Sequence, residues 1–241
     1  MQIVKEAIEF NIPHVPTIIL MSLISWTLIF IVSIIARKNI SIVPKSMQNF
    51  FEIIFEQIFN LADNVIGKDA RKYYPLFLGI FFFIFFSNVL GIIPGMISPT
   101  SNINVPIALS ITIFLYYNLQ GFMKHKISYL KKFIISGLPL WMFPVNILIF
   151  FIEIISQFVR PFSLSLRLFC NVFAKETLLG VMASLIITFL LLPGMSKTIV
   201  IMPLFLRPII IILAILIGLV QALIFLLLSI TYVAGAVKAE H

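Results

Sequence analysis

Residues 73–123 contain no Asp, Glu, Lys or Arg, and neither do residues 10–36 or 208–237. Runs of this length decide the class of fold, because a helix needs about 20 mostly apolar residues to cross a bilayer. Arg37 and Lys38 stop the first run, which predicts a span over 16–36. The run from residue 73 is long enough for two spans and breaks at Pro94-Gly95 and again across 98–106. It predicts spans over 74–93 and 105–122, joined by a polar, uncharged loop. Of the 241 residues, 61% are hydrophobic and 11% charged, against about 25% charged in a soluble domain. The expectation is an all-α, polytopic membrane protein with about five spans, forming one domain over 1–241.

The formal net charge of +8 would raise nucleic acid as a partner for a soluble chain. Here the basic residues cluster at the ends of apolar runs, the pattern of membrane orientation, so the partner is the lipid bilayer and not nucleic acid. Six of them, Arg37, Lys38, Lys45, Lys68, Arg71 and Lys72, lie between the first two spans. Lys124, Lys126, Lys131 and Lys132 follow the third span, and the loop between the second and third has none. The positive-inside rule puts the two basic segments in the cytoplasm, the N-terminus outside and the C-terminus inside. Glu6 and Glu9 near the start are unlike a cleaved signal peptide, so the first run reads as retained. Cys170 is the single cysteine, which excludes an intrachain disulfide.

Residues 46–67 are amphipathic. Phe51, Ile54, Phe55, Ile58, Leu61 and Val65 recur at helical spacing among Glu52, Glu56, Asn60 and Asp63. Two placements fit, a helix lying in the membrane interface or one packed on a soluble partner.

After an uncharged stretch over 133–152 the sequence reads EIISQFVRPFSLSLRLFCNVFAKE, starting at Glu153. Glu153, Ser156, Arg160, Ser163, Arg167 and Asn171 are spaced 3, 4, 3, 4 and 4 apart, which puts them on one face of a helix. Pro161 lies within this stripe as a candidate kink. An arginine in mid-span costs about 2.5–3.5 kcal/mol on insertion scales, so such residues face protein or water and mark function by default. Arg160 also reads as a side chain snorkelling to headgroups. Arg167, among Leu164, Leu166, Leu168 and Phe169, lies deeper in the membrane and reads as functional. Glu176 falls about 13.5 Å beyond Arg167 and about 180° around the helix, and Glu153 about 21 Å before it on the same face. Two aqueous pockets separated by a cation suit this layout; so does pairing of each carboxylate with a nearby base, such as Lys175 beside Glu176. Arg207, Ala214 and Gln221 lie seven apart in the last run, where Gln221 reads as interhelical glue or as a functional amide.

The histidines are His14, His125 and His241, none of them in mid-span, which excludes bis-histidine haem ligation inside the bilayer. No metal-ligand cluster, P-loop or glycine-rich phosphate fingerprint occurs, and no histidine accompanies a plausible nucleophile. Neither cofactor nor metal is expected, and the chain reads as a conduit and not a catalyst.

The segment from Arg160 to Glu176, RPFSLSLRLFCNVFAKE, closely resembles the signature of subunit a of F-type ATP synthases. The likeness covers almost the whole chain. Phe86-Ser-Asn-Val-Leu-Gly-Ile-Ile-Pro-Gly95 is similar to that family's second-span motif, Ser98-Pro-Thr-Ser-Asn-Ile-Asn104 to its following loop, and Val220-Gln-Ala-Leu-Ile-Phe225 to its last helix. The resemblance implies that Arg167 is the arginine that faces the carboxylates of a rotating c-ring and separates two half-channels. It implies that Glu176, Asn171, Gln221 and Asn88 line the outer half-channel, and Glu153, Ser156 and Ser163 the cytoplasmic one. Lys175, Arg207 and Arg160 would modulate them. It further implies two long, steeply tilted helices forming a hairpin over roughly 137–190 and 197–236, peripheral-stalk b subunits as partners, and a bacterial inner membrane. H⁺ or Na⁺ would be the translocated ion. Ala214 stands where many bacterial members have a histidine, which puts a His–Glu relay in doubt, and Lys175 stands where glycine is frequent. Two other functions remain open: a secondary transporter holding an anion at Arg167, which would carry inverted repeats that are not seen here, and a structural subunit with no ion role.

Overall fold

The computed structural model describes residues 17–38, 46–67, 69–93, 96–126, 143–191 and 201–238, and six α-helices account for nearly all of them. They are α1 (Thr17–Lys38), α2 (Ser46–Ile66), α3 (Tyr74–Leu90), α4 (Asn104–His125), α5 (Phe143–Leu191) and α6 (Ile201–Val237). Short 3₁₀ turns at Ala70–Tyr73 and Pro99–Ser101 lead into α3 and α4. No strand occurs among the described residues. All helices but α2 are long and apolar enough to cross a membrane. The Pro94-Gly95 and Pro193-Gly194 breaks, His14 and His241 lie outside the described residues.

The last helix organises the bundle, since α6 packs against α2, α3, α4 and α5. Its two halves differ in environment. From Gln221 to Val237 nearly every second or third residue is buried, including Phe225, Leu226, Ile230 and Val233. In the first half Met202, Phe205, Ile209, Ile212 and Leu216 are exposed. There the inward residues are Pro203 and then Ile210, Ala214 and Gly218, one per helical turn. Ala214, Gly218 and Ala222 make a seam of small residues that lets α3 approach closely, the usual means of packing helices in lipid. A Cβ on Gly218 would stand 3.1 Å from the Asn88 Cβ.

Apolar on all sides apart from Ser87 and Asn88 near its end, α3 is consequently a buried helix. Phe77, Phe81, Phe82, Phe83 and Ile84 are core residues, and Phe81 and Phe82 meet edge to face. It ends at Leu90 because the following N–H groups turn back early: Ile92 N bonds Val89 O at 3.0 Å and Ile93 N bonds Leu90 O at 3.1 Å. On its outer side α1 contributes Met21 and Ser25, with Trp26 against Phe83.

The apolar face of α2 is covered by the chain itself. Ile58, Ala62 and Ile66 are buried, Phe55 meets Phe82 edge-on and Phe59 stacks on Tyr74. The helix stops at Gly67, whose φ of 89° is a left-handed value that glycine adopts without strain.

Candidate functional site

The 49-residue helix α5 is continuous through Pro161, and its side chains divide into two sets. Gln157, Leu164, Ser165, Leu168, Val172 and Lys175 face inward and are buried. Ser163, Arg167, Cys170 and Ala174 face outward and are exposed. Arg167 points away from the bundle, and among the described residues it has no ion-pair or hydrogen-bond partner. Leu164 and Leu168, its apolar neighbours in sequence, turn inward in its place. Along the polar stripe Ser163 and Arg167 are exposed, whereas Glu153, Ser156, Arg160 and Asn171 are half-buried.

One polar cluster lies where α5 meets the α3–α4 loop. The Lys175 side chain, 6% exposed, donates from Nζ to Asn88 O at 2.9 Å and Asn88 Oδ1 at 3.2 Å. The Asn88 carbonyl is among the last four of α3, which have no partner within the helix, and a cation there complements the helix dipole. The next residue does the opposite. Glu176 Oε1 accepts from the backbone N–H of Ser98 at 2.9 Å. Two adjacent opposite charges thus hold the two arms of the α3–α4 loop. A Cβ on Gly91 would stand 2.7 Å from the Ser98 Cβ and 2.8 Å from Glu176 Oε1, so only glycine leaves room for this contact. Asn88 completes the junction by donating from Nδ2 to Gly218 O on α6 at 3.2 Å. Ser98 Oγ lies 2.8 Å from Thr100 Oγ1 and donates to Ser87 O at 2.7 Å.

Beside this junction Asn171 Nδ2 donates to Gln221 Oε1 at 2.6 Å. Gln221 is 2% exposed, and its Nε2 has no partner among the described residues. A pocket of about 180 Å³ opens between α5 and α6 at Asn171, Lys175 and Ala214. Ala214 also belongs to the seam against α3, where Asn88 and Gly218 close the space. The small side chain at 214 therefore belongs to the close packing of α3 on α6, and Lys175 supplies the polar group near it.

A second cluster lies towards the opposite end of α5. Glu153 Oε1 accepts from Gln157 Nε2 at 3.4 Å and faces the Arg160 guanidinium at 3.7 Å. Tyr117 OH on α4 donates to Gln157 Oε1 at 2.9 Å. The Arg160 guanidinium sits 5.7 Å from the ring centre of Tyr232 on α6, and the Tyr117 and Tyr232 rings are 5.8 Å apart. Among the described residues the base nearest the Glu153 carboxylate is Arg160, at 3.7 Å. Ser156 is half-buried close by, and Arg207 is half-buried near the start of α6.

Polar ties fix one end of the bundle. Lys124 Nζ meets Asp69 Oδ2 at 2.7 Å, and the bond and charge of Lys124 hold the Asp69 carboxyl below its ordinary range. One residue on, His125 Nε2 lies 3.0 Å from Val237 O at the end of α6. The α2–α3 connection and the C-terminal ends of α4 and α6 therefore share one end of the molecule. Among the described residues no three His, Cys, Asp or Glu side chains gather as a metal site.

Sequence reasoning named Asn88, Lys175, Glu176, Asn171 and Gln221 without showing that they form one junction. It did not name Gln157, Tyr117, Tyr232 or Ser98 as site residues. For Gln157 a signal existed: an isolated amide between Glu153 and Arg160 in an apolar helix must find a partner. For Ser98 no signal existed, because its contribution to Glu176 is a backbone N–H.

Residues 19–234 match the profile of the family described as ATP synthase A chain. The chain is 36% identical over 220 residues to an ATP synthase subunit a of Geobacter sulfurreducens, covering 90% of this chain and 87% of the relative. It is 36% identical over 214 residues to ATP synthase subunit a 3 of Pelobacter propionicus, covering 89% and 84%. It is 34% identical over 215 residues to the ATP synthase subunit a of Desulfotalea psychrophila, covering 88% and 81%. With helices that are long and apolar enough to span a membrane and a profile match over almost its full length, the chain belongs to the ATP synthase A chain family.

Proposed function

We propose that this chain is the stator of an F-type ATP synthase membrane sector, passing H⁺ or Na⁺ to and from rotor c-ring carboxylates through two offset half-channels. One observation carries the reading. Arg167 is exposed on the outer face of α5 without a counter-charge from the described residues, and a polar cluster lies towards each end of that helix. A cation in an apolar span with no partner among the described residues calls for an anion on a neighbour.

In this account the outer half-channel is lined by Glu176, Asn171, Gln221 and Asn88, and the cytoplasmic one by Glu153, Ser156 and Ser163. Lys175, Arg207 and Arg160 modulate them. An ion entering from outside neutralises a rotor carboxylate, which can then face lipid; the charged form cannot do so cheaply. After nearly a full turn the carboxylate releases its ion on the Glu153 side. Arg167 then attracts the anion where the low dielectric strengthens the pairing, and blocks direct passage between the half-channels. The drive is about 2.3 kcal/mol per charge per 100 mV. The last two helices would tilt steeply around the ring as a hairpin, and peripheral-stalk b subunits would hold the chain still. The bundle end carrying Asp69, Lys124 and His125 faces the cytoplasm of a bacterial inner membrane, with the N-terminus outside.

Side-specific labelling tests this. In the assembled complex, with Cys170→Ser as background, Ser156→Cys should react with a membrane-impermeant thiol reagent from the cytoplasmic side alone, and Asn171→Cys from the outer side alone. Reaction of both from the same side would contradict two half-channels.

A further inference from the structure

Tyr117, Gln157, Glu153, Arg160 and Tyr232 form a closed circuit across α4, α5 and α6. The Tyr117 hydroxyl donates to Gln157 Oε1 at 2.9 Å, and Gln157 Nε2 donates to Glu153 Oε1 at 3.4 Å. Glu153 faces Arg160 at 3.7 Å, Arg160 lies over the Tyr232 ring at 5.7 Å, and that ring is 5.8 Å from Tyr117. Gln157 is 4% exposed, so its amide has to be satisfied inside the bundle.

The carboxylate–guanidinium separation is long for a charge-assisted hydrogen bond, which closes to about 2.7–2.9 Å when unrestrained. Each partner is held elsewhere: Glu153 by the Gln157 amide, Arg160 by the face of Tyr232. We infer that Gln157, fixed by Tyr117, is a positioning residue that keeps the Glu153 carboxylate from collapsing onto Arg160. The inference rests on the cytoplasmic half-channel reading of Glu153. A carboxylate tightly paired with arginine favours its charged form. It would then accept a proton only at lower pH, and the exchange that the half-channel requires would slow.

Among the described residues the groups bearing on Glu153 are Arg160 on its own helix, Tyr117 of α4 through Gln157, and Tyr232 of α6 through Arg160. Farther along α4, Lys124 and His125 are occupied by Asp69 and the Val237 carbonyl.

The test is ATP-driven proton pumping by the intact complex in inverted membrane vesicles, followed against pH on the cytoplasmic face. Gln157→Leu should move the pH midpoint down by about half a unit or more, and Tyr117→Phe should move it the same way by less. The double variant Gln157→Leu with Arg160→Gln should bring the midpoint back, because the collapse needs the guanidinium. A merely structural defect would lower the amplitude in all three without moving the midpoint. An unmoved midpoint in Gln157→Leu and Tyr117→Phe, in a system where Glu153→Gln alters the profile, would overturn the positioning role. If Glu153→Gln itself left rate and profile unchanged, the half-channel reading would fail and take this role with it.

Discussion

The Lys175 ammonium binds both oxygens of Asn88, the backbone carbonyl at 2.9 Å and the side-chain oxygen at 3.2 Å. This joins α5 to the C-terminal end of α3, and Asn88 Nδ2 carries the link on to Gly218 of α6. Lys175→Met keeps much of the stem but leaves both acceptors in an apolar site. The expected loss is about 0.5–2 kcal/mol, the range for interhelical hydrogen bonds in membranes and for orphaned buried acceptors. Thermal unfolding of the purified complex should show it, with Lys175→Arg retaining more stability than Lys175→Met.

Gly91 and Gly79 make a contrasting pair on α3 and its C-cap. A Cβ at 91 would stand 2.8 Å from Glu176 Oε1, whereas one at 79 meets nothing within 4 Å. Gly91→Ala should displace Glu176 from the Ser98 N–H and depress ATP-driven pumping several-fold. Gly79→Ala should leave pumping unchanged and stabilise the helix by up to about 1 kcal/mol. Equal effects of the two substitutions would refute the close approach at Gly91.

The positions of these helices could be read from the sequence because charge is costly in hydrocarbon: Arg37 and Lys38 close α1, and Lys124 with His125 closes α4. Periodicity also marked the apolar face of α2, but not what covers it, since only the packed chain shows Phe55 against Phe82. The site was half legible. Arg167 was singled out by its cost in mid-span, yet its outward direction depends on which face of α5 the bundle covers. The meeting of Asn88, Lys175 and Gly218 joins residues up to 130 apart in sequence, and no local spacing encodes that.

Asn171 and Gln221 should behave as a coupled pair. Asn171→Leu leaves Gln221, whose Nε2 already has no partner among the described residues, without its remaining Asn171 bond. The expected cost is about 0.5–2 kcal/mol. Adding Gln221→Leu should recover part of it, because two apolar groups replace an unpaired amide. A double-mutant cycle on thermal stability measures the coupling, and strict additivity would contradict the contact.

The Asp69–Lys124 tie predicts a pH dependence outside the membrane. The hydrogen bond and charge of Lys124, with a smaller contribution from Lys72, lower the Asp69 pKa. A carboxyl depressed on folding adds stability above its unfolded value, and that stability is lost as pH falls through the folded value. The tie should therefore hold through neutral pH and fail below about pH 4. The difference in melting temperature between the wild type and Asp69→Asn should be constant near pH 7 and shrink in that acid window. Both groups are solvent-accessible, so the difference should be small and fall with added salt.

Coupled pumping in an Arg167→Ala complex tests the central claim most directly. The account predicts full assembly, loss of ATP-driven proton pumping, and passive proton flux through the membrane sector that persists or rises because the barrier between the half-channels is gone. Pumping at the wild-type rate in that variant would contradict it.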